Sequence, residues 1–215
     1  MTMGEVVEIY WATQDEEPSS ASDIYLDFHK FDTIEFIIFA DRLSSAVLVY
    51  RSACSQLEHM RQRFLQQKAT GGHRVAGWEG ESDIGLDENI GVVKESYTIA
   101  AGAATVTAVA ALESLLIDLV PDDQAPPKGL HDLMEDFLNR HGHSLSRSQR
   151  KSLVGRELRV NQRRNQFAHA LAGSYFGRSK ASRQMFTDEA LDENFRIVAY
   201  LAIKIEELYN NSQAR

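Results

Sequence analysis

Tyr97-Thr98-Ile99-Ala100-Ala101-Gly102-Ala103-Ala104-Thr105-Val106-Thr107-Ala108-Val109-Ala110-Ala111-Leu112 is a run of 16 residues without a charge. Whether it crosses a membrane or fills a core decides the fold. A spanning helix needs roughly 20 strongly apolar residues. This run is shorter, rich in Ala, Gly and Thr, and followed at once by Glu113 and then Asp118. It reads as the middle of a buried helix whose small side chains let neighbouring helices approach closely. The helix is expected from about Asp87 to Val120, stopped by Pro121 and by the Pro126-Pro127 pair.

Helical periodicity continues on both sides. Upstream, from Thr33 to Lys68, Ile34, Ile37, Ile38, Leu43, Val47, Leu48, Leu57, Met60 and Phe64 recur at steps of three and four. Between the two helices, Gly71, Gly72, Gly77, Gly80, Gly85 and Gly91 predict a long irregular connection over residues 70 to 91. Downstream, Pro127 opens a helix lined by Leu130, Leu133, Met134, Phe137 and Leu138 and stopped at His141-Gly142. Ser146 caps the next, with Leu153, Leu158, Val160, Phe167 and Leu171 as its apolar positions. The last begins after Thr187, where Asp188 and Glu189 suit a positive helix end, and carries Phe195, Ile197, Val198, Leu201, Ile205 and Leu208.

Five amphipathic segments with little strand signal imply an all-α antiparallel bundle. Residues 1–23 read as an N-terminal extension in which Val6, Val7, Ile9 and Trp11 suggest a short strand or hairpin. The segment from Ile24 is open between strand and helix. Residues 24–86 hold the leading helix and Gly-rich loop, and 87–215 the main bundle.

The chain has 215 residues, 43% of them hydrophobic, enough for a continuous core and against disorder. Cys54 is the single cysteine and Met1 opens no secretory leader, so a cytoplasmic protein is expected, with no membrane partner. The net charge of −8 hides a strong asymmetry. Between Arg147 and Arg183 ten Lys or Arg face one acid, Glu157, a net of +9 that leaves −17 on the remainder. A concentrated basic region inside an acidic molecule suits a phosphate-rich ligand.

At the centre of that region lies Arg164-Asn165-Gln166-Phe167-Ala168-His169. A guanidinium holds phosphate, and an imidazole moves protons near neutral pH. At about 100° per residue, Asn165 and His169 are 40° apart around a helix and Arg164 is 140° from His169, with Asn165 between them. All three are expected to border one cleft, and pairing two copies along this helix would supply a groove with two Arg and two His. The helix, read blandly, is a solvated face, with Arg147, Arg150, Arg156 and Arg159 simply pairing with acidic neighbours.

Arg164-Asn165-x-x-x-His169 late in a helical bundle resembles the signature of HEPN domains (higher eukaryotes and prokaryotes nucleotide-binding). Ala111-Leu112-Glu113-Ser114-Leu115-Leu116 resembles their early core helix, and the likeness runs from about Asp87 to Asn210. Many such domains are ribonucleases of toxin, phage-defence and RNA-processing systems. The resemblance implies metal-independent RNA cleavage at a homodimer interface, the 2'-hydroxyl attacking the adjacent phosphate. It implies His169 as the proton-transfer group, Arg164 as the phosphate charge stabiliser and Asn165 as the orienting group.

Arg156, Arg159 and Arg163 are candidate RNA contacts and Glu113 a candidate support for Arg164. A toxin subgroup carries a tyrosine two residues after the histidine; here that place is Leu171, and Tyr175 stands four residues farther on, which argues against control by tyrosine modification and leaves an antitoxin or regulatory protein of another type as a candidate partner. The competing reading is a non-catalytic bundle that dimerises or holds RNA or protein.

No cofactor or metal is expected. Asp132, Glu135, Asp136, His141 and His143 lack paired-His helical spacing or cysteine clusters. The Gly-rich stretch has no phosphate-cradling pattern, no Gly-x-Ser-x-Gly elbow occurs, and Cys54 in an apolar helix suits a structural thiol. Trp11 and Trp78, isolated aromatics, suit contact with a partner or a base.

Overall fold

Phe36, Phe39, Leu43 and Val47, three or four residues apart, present one apolar side of a 37-residue helix, α1 (Ile34–Thr70), and all four are buried. It closes at Gly71, whose φ of 69° is left-handed and sterically open only to glycine at little cost. The computed structural model describes residues 18–120, 129–172 and 187–214, and over these the architecture is all-helical without a strand. α2 (Glu79–Leu119) returns along α1, followed by α3 (Leu130–His141), α4 (Arg147–Ala172) and α5 (Asp188–Gln213).

The charge-free run lies in α2, where Ala101, Ala104, Ala108, Val109, Ala111, Leu112, Leu115 and Leu116 are all buried. By length and composition α2 would pass for a membrane span, yet 56% of its most apolar window is buried inside the bundle. Its small residues do what their size permits: Gly102 lies directly beneath the ring of Phe167 on α4, with no room for a Cβ.

The Gly-rich connection is much shorter than expected. Residues 71–78 form the turn, while Gly80, Gly85 and Gly91 lie inside α2. No atom stands within 4 Å of where their side chains would begin, so these glycines mark neither a loop nor a close approach. Glu79 and Glu81 favour the helix start by facing its positive end, and packing along α1 outweighs about 1 kcal/mol per glycine in lost propensity. The turn itself is tied down: Arg74 holds both Asp83 oxygens at 2.9 Å and His73 Nε2 meets Oδ1 at 2.7 Å. Lys68 bonds Asp87 at 2.5 Å, and Tyr97 donates to Glu58 at 3.0 Å.

The boundary drawn at residue 23 falls within packed chain. Ala21 and Leu26 join the core, and the hydroxyls of Ser22 and Ser44 on α1 lie 2.7 Å apart. The segment from Ile24 is neither strand nor helix but turns, with Asp27 and Phe28 in left-handed backbone at φ of 51° and 55°. This carries the chain to α5, where Tyr25 packs on Phe195 at 5.1 Å and His29 Nε2 meets the buried carboxylate of Glu206 at 2.6 Å. The strand suggested by Val6 to Trp11 lies outside the described residues, as do Pro127 and Tyr175.

The remaining ends follow their caps. Leu130, Leu133, Met134, Phe137 and Leu138 bury one side of α3, and Thr187 caps α5 by accepting from the Ala190 amide at 3.2 Å. One hydrophobic core runs through all five helices.

Candidate active site

α4 begins with a capping box. Ser146 Oγ accepts the Gln149 amide at 3.3 Å while Gln149 Oε1 accepts the Ser146 amide at 2.9 Å. From there the inward stripe of the helix is Leu153, Glu157, Val160, Arg164 and Phe167, spaced four, three, four and three. Two of these five positions are charged, on a helix face that docks on a hydrophobic core. Charges in such places are seldom accidents of packing, because each needs a partner to offset its desolvation.

Arg164 is the better clamped of the two. Its side chain is 22% exposed and Nη1 donates to Glu113 Oε2 on α2 at 3.0 Å, Glu113 being 23% exposed. Nη2 donates to Asn161 Oδ1 at 2.8 Å and Nε to Asn165 Oδ1 at 3.3 Å. A guanidinium has five N–H groups. Among the described residues three are engaged, which leaves one on each terminal nitrogen without a partner there. Fixed donors of this kind can meet an oxyanion without reorganising.

Asn165 and His169 are both exposed, His169 one turn beyond Asn165 towards the C-terminal end of α4. The structure thus joins Arg164 directly to Glu113 and Asn165 and leaves His169 exposed, one turn farther along α4 and outside that set of contacts. The guanidinium turns towards Asn161, so within one chain its head lies on the side of Asn165 away from His169.

Three expected RNA contacts are occupied within the chain. Arg163 bridges α4 to α5, donating to Asn194 Oδ1 at 2.6 Å, Glu193 Oε2 at 2.6 Å and the Ala190 carbonyl at 3.2 Å. Asn194 passes the link on to Thr105 of α2 at 3.1 Å. Arg159 also pairs with Glu193, and Arg156 stacks over Tyr200 at 4.4 Å. Arg150 pairs with Glu135. The basic window is therefore partly neutralised by neighbouring helices, and the pairing that the bland reading expects holds for Arg150 and Arg159.

Reading the sequence missed His131, Glu157 and Asn161. Glu157 has a side-chain exposure of 0%; His131 Nδ1 lies 2.9 Å from its Oε2, and Asn161 donates to its Oε1 at 3.3 Å. Burial pushes the Glu157 carboxyl above the ordinary range, an effect opposed by the bond from His131. That same bond raises His131, which is 43% exposed, above an ordinary histidine. A sign was present in Glu157 being the one acid among ten cations, at helical spacing from Asn161 and Arg164. Nothing in the sequence pairs it with His131.

At the other end of α4, Arg140, His141, His143, Ser144, Asn211 and Ser212 line an open cleft of about 350 Å³. Ser212 donates to the Tyr209 carbonyl at 2.7 Å, so its oxygen accepts from His141 Nδ1 at 2.6 Å. Burial lowers the affinity of His141 for a proton. Among the described residues no three His, Cys, Asp or Glu come together as ligands for a metal ion.

Comparisons with protein-family models, curated proteins and solved structures return no match for this chain.

Proposed function

We propose that this protein is a metal-independent endoribonuclease of the HEPN type, acting as a cytoplasmic homodimer in a toxin or phage-defence role. The observation that carries the reading is Arg164. It stands on the inward stripe of α4, held at three of its nitrogen positions by Glu113, Asn161 and Asn165, with two N–H groups unspent among the described residues. A guanidinium so placed neutralises charge that grows on phosphate oxygens during attack by a 2'-hydroxyl, and His169 supplies proton transfer one turn past Asn165. Needing the 2'-hydroxyl restricts the substrate to RNA.

The test is cleavage of labelled RNA in EDTA by the wild type, Arg164→Ala and His169→Ala, with a 2'-deoxy substrate as control. Losses of about 100-fold or more in both variants, with fold intact and no cleavage of the deoxy strand, are expected. Cleavage unchanged by either substitution overturns the assignment.

A second reading is a non-catalytic dimerisation, RNA-binding or protein-interaction module. It is favoured by the engagement of Arg150, Arg159 and Arg163 with acids of their own chain, which leaves less free positive charge than the sequence promises. Binding of RNA without cleavage would select it.

A further inference from the structure

Glu157 is the charged side chain that α4 buries completely, and the function above gives it no role. Its side-chain exposure is 0%, and taking a carboxylate out of water is costly unless partners replace the lost hydration. Two donors do so. His131 Nδ1 on α3 lies 2.9 Å from Oε2, forming a dyad, and Asn161 Nδ2, one turn on along α4, donates to Oε1 at 3.3 Å. The same Asn161 offers its oxygen to Arg164, accepting from Nη2 at 2.8 Å. The buried carboxylate is thereby linked to the guanidinium through a single amide.

An amide has two ends of nearly equal size and opposite hydrogen-bonding sense. Turned over, Asn161 would set its NH2 group against the NH2 of Arg164, donor to donor. Facing a carboxylate, which only accepts, the amide keeps its nitrogen towards Glu157 and its oxygen towards Arg164. Glu157 chooses the end, and Asn161 passes the choice on to the guanidinium. Asn165, which accepts from Nε at 3.3 Å, is an exposed anchor by comparison. The partner at Nη2 is also neutral. Arg164 already meets one carboxylate directly in Glu113, and the amide steadies the head without setting a second charge against it.

Resting on the ribonuclease reading, we infer that Asn161 is a positioning residue for Arg164, and that Glu157, held in turn by His131, fixes the end of the amide that Asn161 presents. Asn161 touches no reacting atom. It keeps the guanidinium plane in one orientation, so that the N–H groups meeting the phosphate are aimed before the substrate arrives. A guanidinium held loosely would have to be ordered anew in each transition state, which lowers kcat and leaves binding of the ground state much as it was.

The test uses Asn161→Leu, which removes the acceptor at similar volume, and Glu157→Gln, which keeps the shape of the acid but has one oxygen for two donors and so lets Asn161 turn over. The first readout needs no substrate. NMR of protein carrying isotope-labelled arginine follows rotation about the Nε–Cζ bond of Arg164, its signals assigned by their loss in Arg164→Lys. Rotation is expected to be faster than in the wild type by about tenfold or more in Asn161→Leu, and by a smaller factor in Glu157→Gln. A merely structural role for Asn161 would lower the urea midpoint and leave the rotation at its wild-type rate, which would overturn the inference.

The second readout is cleavage. On RNA, Asn161→Leu should lose about tenfold or more in kcat with KM little changed. Guanidinium ion, added far below denaturing concentrations, should restore part of the activity of Arg164→Ala and much less when Asn161→Leu is added to it, because the free ion lacks the oxygen that seats it. Wild type that does not cut RNA overturns the ribonuclease reading and the catalytic purpose with it; the rotation rates then judge the holding of Arg164 on their own. Wild type that cuts, with Asn161→Leu unchanged in rotation and kcat, overturns the role of Asn161 alone. Asn161→Leu affected and Glu157→Gln unchanged in both overturns the part of Glu157.

Discussion

Gly102→Ala tests whether the motif is seated as described. A Cβ at residue 102 would stand 1.9, 2.0 and 2.5 Å from three ring carbons of Phe167. Ordinary contact between carbons is about 3.5–4.0 Å, so ring and helix must separate by roughly 1.5 Å. In an open helix the same change stabilises by about 1 kcal/mol through propensity. Overpacking of a filled core costs about 1–3 kcal/mol, and a ring trapped between two helices belongs at the upper end. The net expectation is a loss of about 1–2 kcal/mol.

Gly91→Ala is the internal control, since it lies in the same helix with nothing within 4 Å and should stabilise by up to about 1 kcal/mol. Urea unfolding of both variants reads the difference as opposite shifts in midpoint. Phe167→Ala should cost about 3–5 kcal/mol in the wild type and clearly less beside Ala at 102, a coupling that a double-mutant cycle reads directly. If Gly102→Ala proves as stabilising as Gly91→Ala, α4 does not sit on α2 in this way and the position assigned to Asn165 and His169 falls with it.

Arg164→Ala should destabilise by about 1–3 kcal/mol, since both partners are partly screened, and much of that loss should vanish in a Glu113→Ala background. The Glu157 and His131 shifts are both upward, so their contribution to stability is complete below the ordinary values of 4.5 and 6.5 and is lost as pH rises through the raised ones. Urea midpoints should accordingly fall with rising pH in the wild type and fall less in Glu157→Gln; a slope unaffected by that substitution would remove the dyad as its source. The hydrogen bonds of Arg74 and His73 hold Asp83 down at about 2, so order in the 71–78 turn should be retained above its ordinary value of 3.8 and lost as pH drops towards 2. Protease cutting at that turn in acid, and at neutral pH in Asp83→Asn, reports it; resistance in both would contradict the contact.

What could be read in the sequence followed the locality of its causes. The helix ends at Ser146, Thr187 and His141 were legible because caps and stops act within four residues. So was the burial of one side of the Tyr97 to Leu112 run, whose other side, with Ile99, Ala103, Thr107 and Ala110, is exposed. Glu113 stood in the sequence as one candidate support for Arg164 against the commoner surface carboxylate; the 3.0 Å bond between them depends on α2 and α4 being brought together.

The early start of α2 was not legible, because the partner that offsets its glycines is α1, brought alongside only by the fold. Likewise the docking of Ala21 and Leu26 depends on α5 and α1, far off in sequence. His131 was passed over because its significance comes wholly from Glu157, 26 residues away on another helix.

The contact between His29 and Glu206 spans 177 residues, and Phe36 meets Tyr209 at a ring separation of 6.4 Å. During synthesis α1 and α2 can pair early, as neighbours in the chain, but the Phe36 and Phe39 side of α1, met early only by Phe31, is not fully covered until α5 emerges. The nascent protein therefore carries an oily, half-finished surface for most of its translation. Ribosome-bound chains cut short before α5 should be the species on which chaperones gather.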